Sequence, residues 1–245
     1  MIPKKFGVLV VDGDYLAYLA AFVTQGSVYT VVNKEGEVIV SKPSLESCTK
    51  YCEKAGIDIA DCEVTKDVIV HKNWESIAKA TVANKIRKWK AATGTSRVLI
   101  AMGGPTNFRD RLNLFQKYKD RPPSNKPLKL KEVRALILEL YSCIVSDDCE
   151  ADDIIAMYQY KGHLDGSYIV ATEDKDAKQT PGYMFNPRTE EIRCCTGFGK
   201  IELITKMSSS MKKTYKIDGF GRCFFYYQLV VGDPVDTYHP FPKVI

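Results

Sequence analysis

Phe6-Gly7-Val8-Leu9-Val10-Val11, closing on Asp12-Gly13-Asp14, is the stretch that decides the fold. A short unbroken apolar run suits a central strand covered on both faces, as parallel sheets require. A carboxylate at the end of such a strand lies where open α/β sheets collect ligands. Working outward, Tyr15 to Phe22 is compatible with a helix, and Val28 to Val40 reads as a β-hairpin around Asn33-Lys34-Glu35-Gly36. Ser41 to Asp67 is polar and mixed, and is expected to be a variable insertion, 41–67. Asn73 to Ala92 carries Ile77, Val82, Ile86 and Trp89 as the apolar marks of an amphipathic helix, with Gly94 as its stop. Arg97 to Ala101 reads as a second buried strand, followed by Gly103-Gly104-Pro105 and a basic loop or arch around 105–127 that contains Pro122, Pro123 and Pro127. Leu128 to Tyr141 and Glu150 to Tyr160 are helical by period, and Ser167 to Ala171 is a third strand leading to Asp174 and Asp176. Strands alternating with helices predict an α/β fold with a mainly parallel sheet flanked by helices.

The chain has 245 residues, 45% of them apolar, enough for one sizeable core. One domain over residues 1–245 is therefore expected. Eight cysteines form no CxxC pair, and with three histidines at no ligand spacing they argue against structural zinc. Reduced thiols in a cytoplasmic protein are the expectation, the host cytoplasm if the chain is phage-encoded. No apolar run is long enough to span a bilayer, so no membrane association is expected. A monomer is assumed.

Acidic residues gather in four clusters: Asp12 with Asp14; Glu150 with Asp152 and Asp153; Asp174 with Asp176; Asp233 with Asp236. Adjacent anions near a buried sheet repel one another, and desolvation adds to the cost, so their convergence calls for a multivalent cation. Taken singly, each cluster has a plainer explanation. Acids in the first turn of a helix suit its dipole, a DxD after a strand resembles a solvated loop, and Asp-Pro-Val-Asp resembles a turn. Together they point to Mg2+ or Mn2+, as two ions roughly 4 Å apart that activate water and stabilise the leaving oxygen in phosphodiester cleavage.

Formal charge is only +5, yet it is polarised. Asn84 to Arg134 holds 14 Lys and Arg against 3 acids, leaving 21 cations against 27 acids elsewhere. A basic segment beside an acidic site suits a polyanionic substrate. Arg109, Arg111, Lys117, Tyr118, Lys119, Arg121 and Lys126 are its candidate nucleic-acid contacts, with Lys119 and Arg109 offsetting charge on the phosphoryl oxygens. Tyr15 and Tyr18 follow Asp12 at a spacing that allows either stacking on a terminal base or packing in the core.

These residues, in this order, resemble the 5′-nuclease family of phage 5′–3′ exonucleases, flap endonucleases and the nuclease domain of bacterial DNA polymerase I. Val10-Val11-Asp12-Gly13-Asp14 looks like the first metal-binding strand, and Asn107-Phe108-Arg109 with Tyr118-Lys119 looks like the basic FR and YK elements. Glu150-Ala151-Asp152-Asp153, Thr172-Glu173-Asp174-Lys175-Asp176 and Gly232-Asp233-Pro234-Val235-Asp236 complete the series. The resemblance implies a Rossmann-like, PIN/flap-endonuclease-like nuclease domain acting on DNA with a free 5′ end or flap. It implies Asp12, Glu150, Asp152, Asp153, Asp174, Asp176, Asp233 and Asp236 as ligands of two divalent ions. Two departures stand out. Ala101-Met102-Gly103-Gly104-Pro105 lacks the Asp that the family carries after its second strand, which implies weaker binding of one ion. The last Asp pair leads into Tyr238-His239-Pro240-Phe241-Pro242 and not into a Gly-rich helical hairpin, so that duplex-binding element is expected to be absent or truncated. Two other functions stay open: a structure-specific DNA-binding protein with impaired catalysis, and a related nuclease acting mainly on RNA, RNA primers included.

Overall fold

The first apolar run forms strand β1 (Val8–Asp12), buried at all five positions, and Gly13 then opens helix α1 (Gly13–Phe22). The computed structural model describes residues 6–112, 125–207, 213–232, 238 and 240. In chain order there follow β2 (Gln25–Val32), β3 (Val38–Lys42), α2 (Leu45–Lys54), β4 (Glu63–Val70), α3 (Trp74–Thr93), β5 (Arg97–Met102) and α4 (Leu130–Leu140). The remainder is β6 (Cys143–Val145), α5 (Ala151–Asp165), β7 (Tyr168–Ala171), β8 (Gly182–Asn186), β9 (Glu191–Cys195), β10 (Lys200–Met207), β11 (Lys213–Phe220) and α6 (Gly221–Val231). Contacts divide the chain into two compact units where one domain is expected from sequence: one of Met1–Leu16, Ala83–Asn125 and Leu136–Ile245, the other of Ala17–Val82 and Lys126–Ala135.

The first unit holds a six-stranded sheet in the order β6-β5-β1-β7-β8-β9, parallel except for β9, which runs antiparallel to β8. Chain order therefore runs leftward from β1 through β5 to β6, then restarts at β7 on the other side. That reversal makes the β1/β7 boundary the topological switch point, where open α/β sheets bind ligands. Val8 and Val10 pack against Ile154 and Ile155 of α5, while Leu9 and Val11 turn to the opposite face and are also fully buried. Each such burial is worth roughly 1.5–3 kcal/mol relative to exposure.

Helix α5 starts where Asp153 accepts the Glu150 amide at 3.0 Å, and ends at Gly166, whose left-handed φ of 71° suits glycine. Its buried stripe, Ala151, Ile154, Ile155, Gln159 and Gly162, follows the helical period. Gln159 donates to the carbonyls of Ala177 and Thr180, both at 2.8 Å, and so ties α5 to the loop after β7. Beyond β9, the ladder of β10 and β11 leads into α6.

The second unit contains the antiparallel sheet β3-β2-β4. Asn33 closes its hairpin by accepting the amides of Glu35 and Glu37 at 3.1 and 2.8 Å. Cys48 and Cys52 of α2 pack with Val31 and Val40. The stretch 41–67, expected to be a variable insertion, thus supplies α2 and most of β4. All eight cysteines are free thiols. Among the described residues no helix is long and apolar enough to cross a membrane.

Candidate functional site

Past the carboxyl ends of β1 and β7, in the first unit, lies a cleft of about 490 Å3. Six carboxylates line it: Asp12, Asp14, Asp110, Glu150, Asp152 and Asp174. Tyr15, Gly103, Asn107 and Cys149 are among the other lining residues, and no described Lys or Arg is.

Asp12 is held at both oxygens. Oδ1 accepts the Tyr15 amide at 3.0 Å, closing the first turn of α1, and Oδ2 accepts the Thr172 hydroxyl at 3.1 Å. The same hydroxyl accepts the Asp174 amide at 3.0 Å, so Thr172 couples two strand ends across the switch point. Burial pushes the Asp12 carboxyl above its ordinary range, against the lowering effect of its two hydrogen bonds. Asp174 is raised as well, first by burial and further by repulsion from Asp176 and Asp12, with the hydrogen bond from the Asp176 amide opposing. Two carboxylates destabilised as anions in one cleft fit a site that expects positive charge.

Asp14 accepts the Gly103 amide at 3.2 Å. A Cβ on Gly103 would come within 2.9 Å of that Asp14 oxygen, so glycine lets the backbone approach where the family resemblance expects a carboxylate. Gly13 is equally constrained, since a Cβ there would meet Ile100, the Ala101 carbonyl and Met102 at 2.6–2.7 Å. Tyr15 donates to Glu173 at 2.7 Å and stacks on Trp89, with ring centroids 6.5 Å apart. It is thus packed on Trp89 while also lining the cleft.

Other sequence candidates lie elsewhere. Asp153 does not line the cleft: Arg109 grips both of its oxygens at 2.8 Å in a forked pair. Arg109, expected to meet phosphate, is committed to this pair and lies over the Phe108 ring. Arg111 makes a similar forked pair with Asp148. Thr106 and the Phe108 amide bind the carbonyls of Asp147 and Asp148 at 2.8 and 3.0 Å, pinning the start of the basic stretch beside α5. Asp176 turns to Gln179 and Gln228, whose amides donate to its Oδ1 at 3.0 and 3.1 Å. Lys126 is exposed in the second unit. Lys117, Tyr118, Lys119, Arg121, Asp233 and Asp236 lie outside the described residues.

The structure thus brings Asp12, Glu150, Asp152 and Asp174 together and adds two acids that the sequence reading did not assign as ligands. Asp14 was visible beside Asp12, whereas Asp110 is hidden between Arg109 and Arg111. Among the described residues, no group of three or more His, Cys, Asp or Glu stands ready to hold a metal ion. No family model matches the chain, and no curated protein matches it.

Proposed function

We propose that the chain is a metal-dependent nuclease with a PIN/flap-endonuclease-like catalytic unit that hydrolyses phosphodiester bonds at 5′ ends or flaps of DNA. The observation that carries this reading is the convergence of Asp12, Glu150, Asp152 and Asp174, from three separate segments, on one cleft at the switch point. The order of the acidic and basic motifs, which resembles the 5′-nucleases, supports it further.

The lining chemistry suits a hard divalent cation that would draw these side chains together: it offers carboxylate oxygens and no described Lys or Arg, and two of the acids are raised toward protonation. Asp12, Asp14, Glu150, Asp152 and Asp174 are the residues that would hold it, with Asp233 and Asp236 as the further ligands implied by resemblance. In two-ion phosphodiester hydrolysis such cations activate water and offset charge on the leaving oxygen. The chain's own work is to orient. Thr172 and the Tyr15 amide fix Asp12, the Gly103 amide fixes Asp14, and the Glu150–Asp153 cap holds the first turn of α5 against the cleft. Lys119, with Lys117, Tyr118 and Arg121, is the proposed phosphate contact.

A 5′-flap DNA incubated with Mg2+ or with chelator tests the reading. Product is expected with Mg2+ alone, and Asp152→Asn should lose more than the roughly 10- to 100-fold typical of an outer-sphere group. Binding without any product would instead favour a structure-specific DNA-binding protein, and preferential cutting of a parallel RNA substrate would move the target to RNA.

A further inference from the structure

A second cavity, of about 180 Å3, opens within the first unit between β8, β9 and the β10–β11 ladder. Lys178, Arg188, Arg193 and Lys216 line it, with Glu191 and Asp218 as its carboxylates, an excess of two positive charges. We propose that this cavity is a second phosphate site, holding a backbone phosphate of the bound nucleic-acid strand away from the scissile bond. The proposal rests on the nucleic-acid reading above.

Its size selects a group, since whole small-molecule ligands occupy pockets of roughly 300–1,000 Å3. Its charge selects an anion. Lys178 and Asp218 satisfy each other at 2.5 Å, both largely buried, and this pair builds one wall. Among the described residues, Arg193 and Lys216 form no salt bridge; Arg193 adds its charge to that of Lys178 around Asp218, and Lys216 stands at the exposed side of the cavity. Arg193 is half-buried with its guanidinium 5.8 Å from the Phe220 ring centre, which stiffens a forked donor suited to phosphate.

The cavity is also close along the chain to the carboxylate cleft. Lys178 closes the short turn Asp176–Lys178, which begins two positions after Asp174. Lys178 is four positions on from Asp174, so their Cα atoms lie within about 14 Å of each other. Phosphates recur about every 3.4 Å of axis along a strand, so a strand crosses that interval in a few nucleotides. Arg188 makes the same connection through side chains: its Nε lies 3.7 Å from Glu173, which accepts the hydroxyl of Tyr15 on the cleft wall. One strand can therefore meet carboxylates at its reacting end and cations a few phosphates on.

The test is binding of a labelled 5′-tailed duplex to the full chain across a salt series, in chelator so that no cleavage occurs. Wild type is compared with Lys216→Gln, Arg193→Gln and the double variant, and Lys54→Gln on exposed α2 serves as control. The double variant should lower the salt slope of log K by about 0.7–0.9, the value for one phosphate, and Lys54→Gln should leave it unchanged. Lys216 is exposed, so Lys216→Gln alone still decides the matter if Arg193→Gln does not fold. Wild-type affinity and slope in Lys216→Gln overturn the proposal. So does inorganic phosphate binding that needs Arg193 and Lys216 while strand affinity does not. A wild type that binds in chelator but makes no product in Mg2+ overturns the nuclease reading instead, and leaves the salt series to judge the second site.

Discussion

Thr172 holds two acids of the cleft through a single hydroxyl. Its hydroxyl donates to Asp12 and accepts the amide of Asp174, so one buried residue fixes an acid at the end of β1 and another just past the end of the neighbouring parallel β7. Both acids are nonetheless raised above their ordinary range, because burial penalises the anion more than these bonds reward it. For an acid raised in this way, the stabilising contribution is present below the unfolded pKa and is lost as pH rises through the folded one. At neutral pH without metal, Asp174 therefore weighs against folding. Asp174→Asn should abolish cleavage, by more than about 100-fold, yet raise the melting temperature in chelator. Its advantage over wild type should widen as pH is raised from the acid range toward neutrality. A thermal scan of both proteins at several pH values checks this, and a melting temperature below wild type at neutral pH would count against the strain.

At the scale of elements, the 108–111 turn and the start of α5 form one device. Arg109 joins them through both oxygens of Asp153, with the two side chains 27% and 36% exposed. A fully buried pair costs roughly 3–5 kcal/mol to break, and partial exposure reduces that to about 1–2 kcal/mol here. Arg109→Ala should lower the melting temperature by several degrees while leaving the salt slope of strand binding unchanged. A reduced slope would return Arg109 to the phosphate contacts. This pairing was hidden in the sequence because its partners stand 44 residues apart. What was legible had a period: β1, β5 and β7 as unbroken apolar runs, and α1, α3, α4 and α5 as apolar stripes. β4 had no such signal, since seven of its eight residues are exposed and nothing alternates. β6 is only three residues long, and α6 buries just Gly221 and Phe224, its packing on β10 and β11 doing what local propensity does not. Acids at strand ends and at the head of α5 were legible for the same reason as the strands, whereas Asp110 reads as one more charge in a basic run.

For the whole molecule, the sign of the charge at the carboxylate cleft opposes the sign of the net charge. A chain of +5 would attract a polyanion at long range, but the cleft that should receive the scissile phosphate is walled by six carboxylates. Like charges in a partly desolvated cleft are screened far less than charges on the open surface. A strand should therefore bind in chelator through peripheral cations alone, its end held away from the cleft. Ca2+ provides the test, because it supplies hard positive charge to oxygen ligands and permits equilibrium measurement when it does not support turnover. At constant ionic strength, replacing chelator with Ca2+ should tighten binding of a 5′-flap DNA by about tenfold, or about 1.4 kcal/mol. The gain should shrink in Asp174→Asn, which lacks one of the charges that call the cation in. Anisotropy titrations with wild type and variant measure both terms. Equal affinity in chelator and in Ca2+ would mean that the carboxylates do not meet the phosphate through a cation, and the metal-dependent mechanism would have to be abandoned even if the strand still bound.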